Sequence, residues 1–110
     1  MKESTIQRAI LDYLKLLENQ GKLIAWRNNS GMMFYKNAAG GNRAIKLGES
    51  GMPDIFVVRY PTQIIGLEVK NEKGKLRDSQ AIWQKKFESV GGKYYLVRSV
   101  EDVEKIINNK

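Results

Sequence analysis

The 110-residue chain has no cysteine, no histidine and only two prolines, and its apolar runs are all short. Each absence removes a class of chemistry. Without Cys or His there is no thiol nucleophile, no Ser-His or Cys-His pair, no thiolate or imidazole zinc site and no disulfide framework. Any catalysis must therefore run on carboxylates, Lys, Tyr or a hydroxyl. The longest apolar stretches are of the size of Ile55-Phe56-Val57-Val58, and Met1-Lys2-Glu3-Ser4-Thr5 opens with no apolar segment of signal-peptide length behind it. The expectation is a cytoplasmic protein with no membrane partner.

Charge and core material are what the chain does have. Its 19 Lys and Arg against 12 Asp and Glu leave a formal charge of +7, and 42% of its residues are hydrophobic. That apolar content is too high for a disordered chain. The length suits one compact unit, since domains most often run to roughly 100–150 residues, and residues 1–110 are read as a single domain. The excess positive charge attracts polyanions, of which nucleic acid is the commonest inside cells; a solubilising surface is the plainer alternative. A membrane-surface role is disfavoured, because the basic residues are spread through loops and not gathered on one amphipathic helix.

Hydrophobic spacing predicts the elements. The recurrence of Ile6, Ala9, Ile10, Tyr13, Leu14 and Leu17 at spacings of three and four predicts an amphipathic helix over residues 4–20, with Ser4 and Gln7 as a capping box, Glu3 at its first turn or just outside, and Gly21 ending it. Leu23–Arg27, Met32–Lys36 and Ala44–Leu47 read as short strands joined by turns. Asp54–Arg59 and Gln63–Lys70, joined through Tyr60-Pro61-Thr62, read as an antiparallel hairpin at the centre of the sheet. Ala81, Ile82, Trp83, Lys85, Lys86 and Phe87 predict a second helix over residues 78–90, closed by Gly91-Gly92. Tyr94–Arg98 is a further strand, and Ser99 caps a last helix carrying Val100, Val103, Ile106 and Ile107 on one face. The order of helix, three or more strands, helix, strand and helix defines an α/β fold.

The central hairpin places chemistry. Side chains alternate along a strand, so Glu68 and Lys70 share one face while Leu67 and Val69 share the other. With Pro61-Thr62-Gln63 as the loop, Tyr60 faces Ile64 and Asp54 falls opposite Lys70; a loop one residue different moves its partner to Val69. Either register brings Asp54 beside Glu68 and Lys70. Two carboxylates converging at the end of buried strands repel each other and cost desolvation, which a cation relieves. Oxygen donors favour a hard divalent ion, magnesium or manganese, and Lys70 is suited to orienting or deprotonating a water and to offsetting charge on a phosphate. Taken singly, a Glu-x-Lys is usually a solvated pair and a Pro-Asp usually a turn. Their joint occurrence, with 13 residues between Asp54 and Glu68 in a basic chain without His or Cys, is more demanding.

The ordered set of Glu3-Ser4-Thr5-Ile6-Gln7, Trp26-Arg27-Asn28-Asn29-Ser30-Gly31, Gly51-Met52-Pro53-Asp54, Gly66-Leu67-Glu68-Val69-Lys70, Gly74 through Gln80, Gly91-Gly92 and Arg98 through Val103 resembles the VRR-NUC branch of the PD-(D/E)XK nuclease superfamily. The resemblance spans nearly the whole chain. It implies a restriction-endonuclease-like fold, a central mixed β-sheet flanked by helices. It further implies that Asp54, Glu68 and the Val69 backbone carbonyl ligate a catalytic Mg2+, with Mn2+ able to substitute, that Glu3 supports the site through water, that Lys70 positions the nucleophilic water, and that Gln80 lies near the site. Relatives often carry Ser or Thr at the cap of the second helix, where this chain offers only Asp78 or Ser79.

Arg27, Asn28, Arg43, Lys46, Lys73, Lys75 and Arg77 flank the expected site and are candidates for DNA backbone contact, although turn duty and solvation explain some of them equally well. Trp26 and Trp83 are assigned to the core in preference to base stacking, and of Tyr94 and Tyr95 one is expected in the core and the other toward the nuclease face. By resemblance, the function expected is metal-dependent cleavage of branched DNA, with four-way junctions resolved by a homodimer whose two sites cut symmetric strands. A flap or non-specific nuclease, and a basic DNA-binding module without turnover, are the competing readings.

Overall fold

The structure is a computed structural model that describes residues 1–28, 32–46 and 48–109, with the side chains of Met32, Met33 and Lys46 outside the description. Its elements in chain order are α1 (Glu3–Asn19), β1 (Leu23–Arg27), β2 (Met32–Lys36), β3 (Asn42–Lys46), β4 (Ile55–Arg59), β5 (Gln63–Val69), α2 (Asp78–Ser89), β6 (Lys93–Val97) and α3 (Val100–Asn108). A four-stranded sheet runs β1-β4-β5-β6, while β2 and β3 pair only with each other. The β1–β4 and β4–β5 pairs are antiparallel, and β5–β6 is parallel, the crossover between them being α2. The sheet is therefore mixed, with the predicted hairpin of β4 and β5 at its centre.

Helices α1 and α3 cover one face of the sheet. Ile6, Ile10, Leu14 and Leu17 recur at helical spacing and pack with Leu23, Ala25, Ile55, Val57, Ile65, Leu67, Val69, Val97 and Val103 in one buried cluster. On the opposite face α2 lays Trp83 and Phe87 over Phe56 and Tyr94 in a smaller aromatic cluster. Both faces of β5 are thus covered, which is why its last five residues are all buried.

Four local expectations are corrected. The first helix is not capped by Ser4 and Gln7: it starts one residue earlier, with Lys2 at the cap position and no side-chain cap bond. The loop of the central hairpin is the expected connection Tyr60-Pro61-Thr62 and not the Pro61-Thr62-Gln63 from which the expected register follows, so Arg59 pairs with Gln63 and Ile55 with Leu67. Extending that ladder by one residue sets Asp54 across from Glu68, not from Lys70 or Val69; the shift preserves the face because the difference from the first register is even. Helix α2 has Arg77 at its cap position and not Asp78 or Ser79, and the Arg77 N–H is satisfied by Gln80 Oε1 at 2.9 Å. Trp83 is core as expected, but Trp26 is half-exposed, its ring tilted against Phe56 at the edge of the sheet.

Candidate active site

Asp54 sits where the chain enters β4, and its backbone is pinned before its side chain does anything. The Asn28 N–H donates to the Asp54 carbonyl at 2.7 Å and Asn28 Nδ2 donates to the Pro53 carbonyl at 3.2 Å, so Asn28 is engaged in holding this turn. Asp54 Oδ2 in turn accepts the Val69 N–H at 2.8 Å. That bond points its carboxylate at the end of β5, where Glu68 and Lys70 emerge on the α2 side.

Glu68 is 3% exposed and Lys70 7% exposed, an unusual depth for ionisable groups. Glu68 Oε2 accepts from Gln80 Nε2 at 2.9 Å and lies 3.3 Å from Lys70 Nζ. Its second oxygen, Oε1, is buried with no hydrogen-bond partner. Burial first, and then the charge of Asp54, push the Glu68 carboxyl up to about 7, while burial also raises that of Asp54. Two such groups in contact resist being ionised together, so without a counter-charge the pair is best served by keeping a proton.

This donor set fits a hard cation. An unpartnered buried carboxylate oxygen facing a second carboxylate, with no thiolate or imidazole in the sequence, is a carboxylate-oxygen site of the type that suits Mg2+ or Mn2+. Among the described residues no third acidic side chain joins closely enough to complete a protein-only cage. Magnesium commonly keeps several waters and takes only one or two carboxylates, so the shortfall is compatible with it. Beside the pair is a cavity of about 200 Å3 lined by Ser50, Asp54, Glu68, Arg77, Ser79 and Gln80 among others.

Gln80 is 3% exposed and bridges Glu68 to the Arg77 N–H, so one side chain both orients the carboxylate and starts α2. Glu3 does not touch the pair. Its carboxylate lies 3.5 Å from the Asn71 N–H, and its charge is felt at Asp54, whose carboxyl it helps to raise. Gly74 fits between Glu3 and the Lys70 stem, where a Cβ would stand 3.0 Å from each. Arg77 is exposed at the rim of the cavity, Lys73 and Lys75 are exposed on the preceding turn, Arg27 is exposed at the end of β1, and Arg43 is exposed on β3. The Lys46 side chain lies outside the described residues, as do Asn29, Ser30 and Gly31.

Two further side chains support the site. Arg98 donates to the carbonyls of Asn71 and Gly74, stapling the turn that backs Glu3 and Lys70. Tyr94, the buried member of its pair, is also the one on the site's face: its hydroxyl donates to the Gly51 carbonyl at 3.3 Å, and burial, with the charges of Glu68 and Asp54, raises its pKa. Tyr94 thus fills both places expected of the Tyr94–Tyr95 pair, core and site face, while Arg98 lies in a segment of the family resemblance that attaches no role to it. Removing the Gln80 bridge should show in both stability and turnover. Gln80→Ala is expected to cost about 1–3 kcal/mol in urea unfolding, because Glu68 and the Arg77 N–H each lose a partner, and roughly 10–100-fold in any metal-dependent activity.

A mixed sheet with this strand order, flanked by helices on both faces and bearing an acidic pair on its central hairpin, is the restriction-endonuclease-like fold. Among solved structures, the chain is similar to one described as a VRR_NUC domain, with a TM-score of 0.65 and 21% identity over 97% of this chain and 95% of that one. Residues 1–101 match the VRR-NUC domain family, and the chain belongs to that family of nuclease domains. No curated protein matches it. No helix among the described residues is long and apolar enough to cross a membrane.

Proposed function

We propose that the chain is a divalent-cation-dependent DNA endonuclease that hydrolyses phosphodiester bonds to 5′-phosphate and 3′-hydroxyl ends, acting on four-way junctions as a homodimer. The observation that carries the cleavage reading is the buried Asp54–Glu68 pair with its unpartnered Glu68 oxygen and Lys70 alongside. Family membership supports nuclease chemistry. Asp54, Glu68 and the Val69 carbonyl would hold the ion, with Glu3 acting through water. When bound, the ion supplies Lewis-acid polarisation of the phosphate and lowers the pKa of a water. Gln80 and the Val69 N–H fix the two carboxylates. Lys70, held beside Glu68, orients the attacking water and offsets charge developing on the phosphate. Arg77 at the rim and Lys73 and Lys75 on the preceding turn, with Arg27, Arg43 and Lys46, are suited to backbone phosphates. Asn28 is redirected from that group to the support of Asp54.

The test is cleavage of a labelled four-way junction, a flap and a linear duplex with Mg2+, Mn2+ or EDTA, by the wild type and by Lys70→Ala. Metal-dependent cutting that the variant loses, with the junction preferred, is the expected result. Preference for the flap, or for none of the three, selects the flap or non-specific nuclease instead. Binding without cutting in either metal selects the non-catalytic module. Light scattering at micromolar concentration should return twice the monomer mass; the monomer mass would remove the paired-cut mechanism.

A further inference from the structure

The β2–β3 hairpin does nothing for the fold described above. It belongs to a separate two-stranded sheet and, among the described residues, has no extensive packing against any other element. The molecule measures 53 Å along its longest axis against 31 and 30 Å across, and its radius of gyration of 15.6 Å exceeds the ~13 Å usual for a chain of this size. Isolated two-stranded ribbons are marginal in water, so one that also displays large apolar groups calls for another explanation. Phe34 is 76% exposed, and Tyr35 and Ile45 are each more than 40% exposed. Opposite Phe34 the register sets Ala44, which is too small to cover the ring.

Charge decides what this surface fits. From Asn19 to Gly48 the sequence holds Lys22, Arg27, Lys36, Arg43 and Lys46 and not one Asp or Glu. Lys36 shares a face with Phe34, being two residues on, and Arg43 pairs across from Tyr35. Each face of the ribbon thus has an aromatic ring beside a cation. Two copies of such a ribbon would repel, whereas a polyanion with stackable rings satisfies both features at once. The location agrees: the chain leaves the main sheet at Arg27, which pairs with Ile55, and returns at Asp54, so the hairpin is rooted at the end of the sheet that carries the acidic pair.

We propose that β2–β3 is a DNA-binding arm, in which Lys36 and Arg43 contact backbone phosphates and Phe34 stacks on bases left unpaired or splayed at a branch. This rests on the nuclease reading for its ligand and extends it, because it gives the protein a means of preferring branched DNA to continuous duplex.

Binding in EDTA isolates the arm from turnover. Fluorescence anisotropy on a labelled four-way junction and a linear duplex, across a salt series, compares the wild type with Lys36→Gln/Arg43→Gln, Phe34→Ala and Phe34→Leu. The charge variant should weaken binding to both DNAs and reduce the slope of log K against log salt by about two, at roughly 0.9 per phosphate contact. Both Phe34 variants should keep the duplex affinity and the slope and bind the junction at least about fivefold more weakly, the lower bound for one lost base–aromatic stack. Wild-type binding by the charge and Phe34→Ala variants, or no DNA binding by the wild type, overturns the arm. Full junction affinity in Phe34→Leu overturns stacking, and a dimer-to-monomer change in Phe34→Ala shows that the ribbon joins copies of the chain. The two readings fail separately: a protein that binds through the arm yet never cuts with metal loses the nuclease, and one that cuts with all arm variants binding normally loses the arm.

Discussion

Asp54→Asn is expected to reduce metal-dependent cleavage by roughly a thousandfold or more while making the metal-free protein more stable. The two effects have one origin. The carboxylate stands opposite another buried carboxylate, an arrangement useful for holding a cation and unfavourable without one. An amide of the same shape can keep the Val69 N–H on its oxygen and turn its NH2 toward Glu68 Oε1, the oxygen that otherwise lacks a donor. The gain should be about 1–2 kcal/mol in urea unfolding with EDTA. The pH dependence has a definite sign. Asp54 and Glu68 have folded-state pKa values above their ordinary ones, so the fold favours their protonated forms. Their contribution is fully present at acid pH, below the unfolded carboxylate values, and is lost as pH rises toward the folded value of about 7 for Glu68. Metal-free wild type should therefore lose stability between about pH 4.5 and 7, with a shallower loss in the variant. Melts at pH 5 and pH 8 with and without the substitution measure this directly. A variant that still cuts, or that is less stable than wild type at pH 8 in EDTA, would remove Asp54 from the site.

The physical reasons some features were readable and others not differ from element to element. Helix α1 announces itself because Ile6, Ile10, Leu14 and Leu17 repeat at 3.6-residue spacing and all are buried. Its cap does not, since the residue-type rule points to Ser4 whereas the helix begins at Glu3 with Lys2 before it and no side-chain bond at all. The central hairpin was legible from β-branched runs on either side of a Pro, and the site face survived an error of register because the slip was even. Helix α2 falls where its residues predict, at Asp78–Ser89, but its buried face is not the one its apolar residues suggest: Ile82 is 69% exposed and Gln80, a polar residue, is buried. Gln80 is inside because Glu68 and the Arg77 N–H need it there, a requirement that no hydrophobic scale carries. Only the family resemblance singled it out. Strand propensity likewise found β2 and β3, but propensity is local and says nothing about which sheet a strand joins.

The loop before Asp54 should tolerate little change in stability, and Gly51→Ala tests how rigidly it is built. Gly51 has φ of +88°, and a Cβ there would lie 2.1 Å from the Ser79 carbonyl oxygen and 3.1 Å from Gln80 Cα. These are backbone atoms of the first turn of α2, so no side-chain rotation relieves the overlap. Either the loop withdraws, carrying Asp54 and breaking the Tyr94 hydroxyl's bond to the Gly51 carbonyl, or α2 withdraws, carrying Gln80 away from Glu68. Left-handed strain of about 1–3 kcal/mol adds to overpacking of about 1–3 kcal/mol, so a loss above about 2 kcal/mol is expected in urea unfolding. Cleavage by the folded fraction should fall roughly 10–100-fold, as when the groups that orient a metal site are displaced. Gly21→Ala is the control. It has φ of +77° with nothing within 4 Å of the added Cβ, so it carries the strain alone, about 1–2 kcal/mol, and should leave cleavage untouched. Equal behaviour of the two variants would mean that contact between the loop and α2 does not position the acidic pair, and that β4 and β5 hold it unaided.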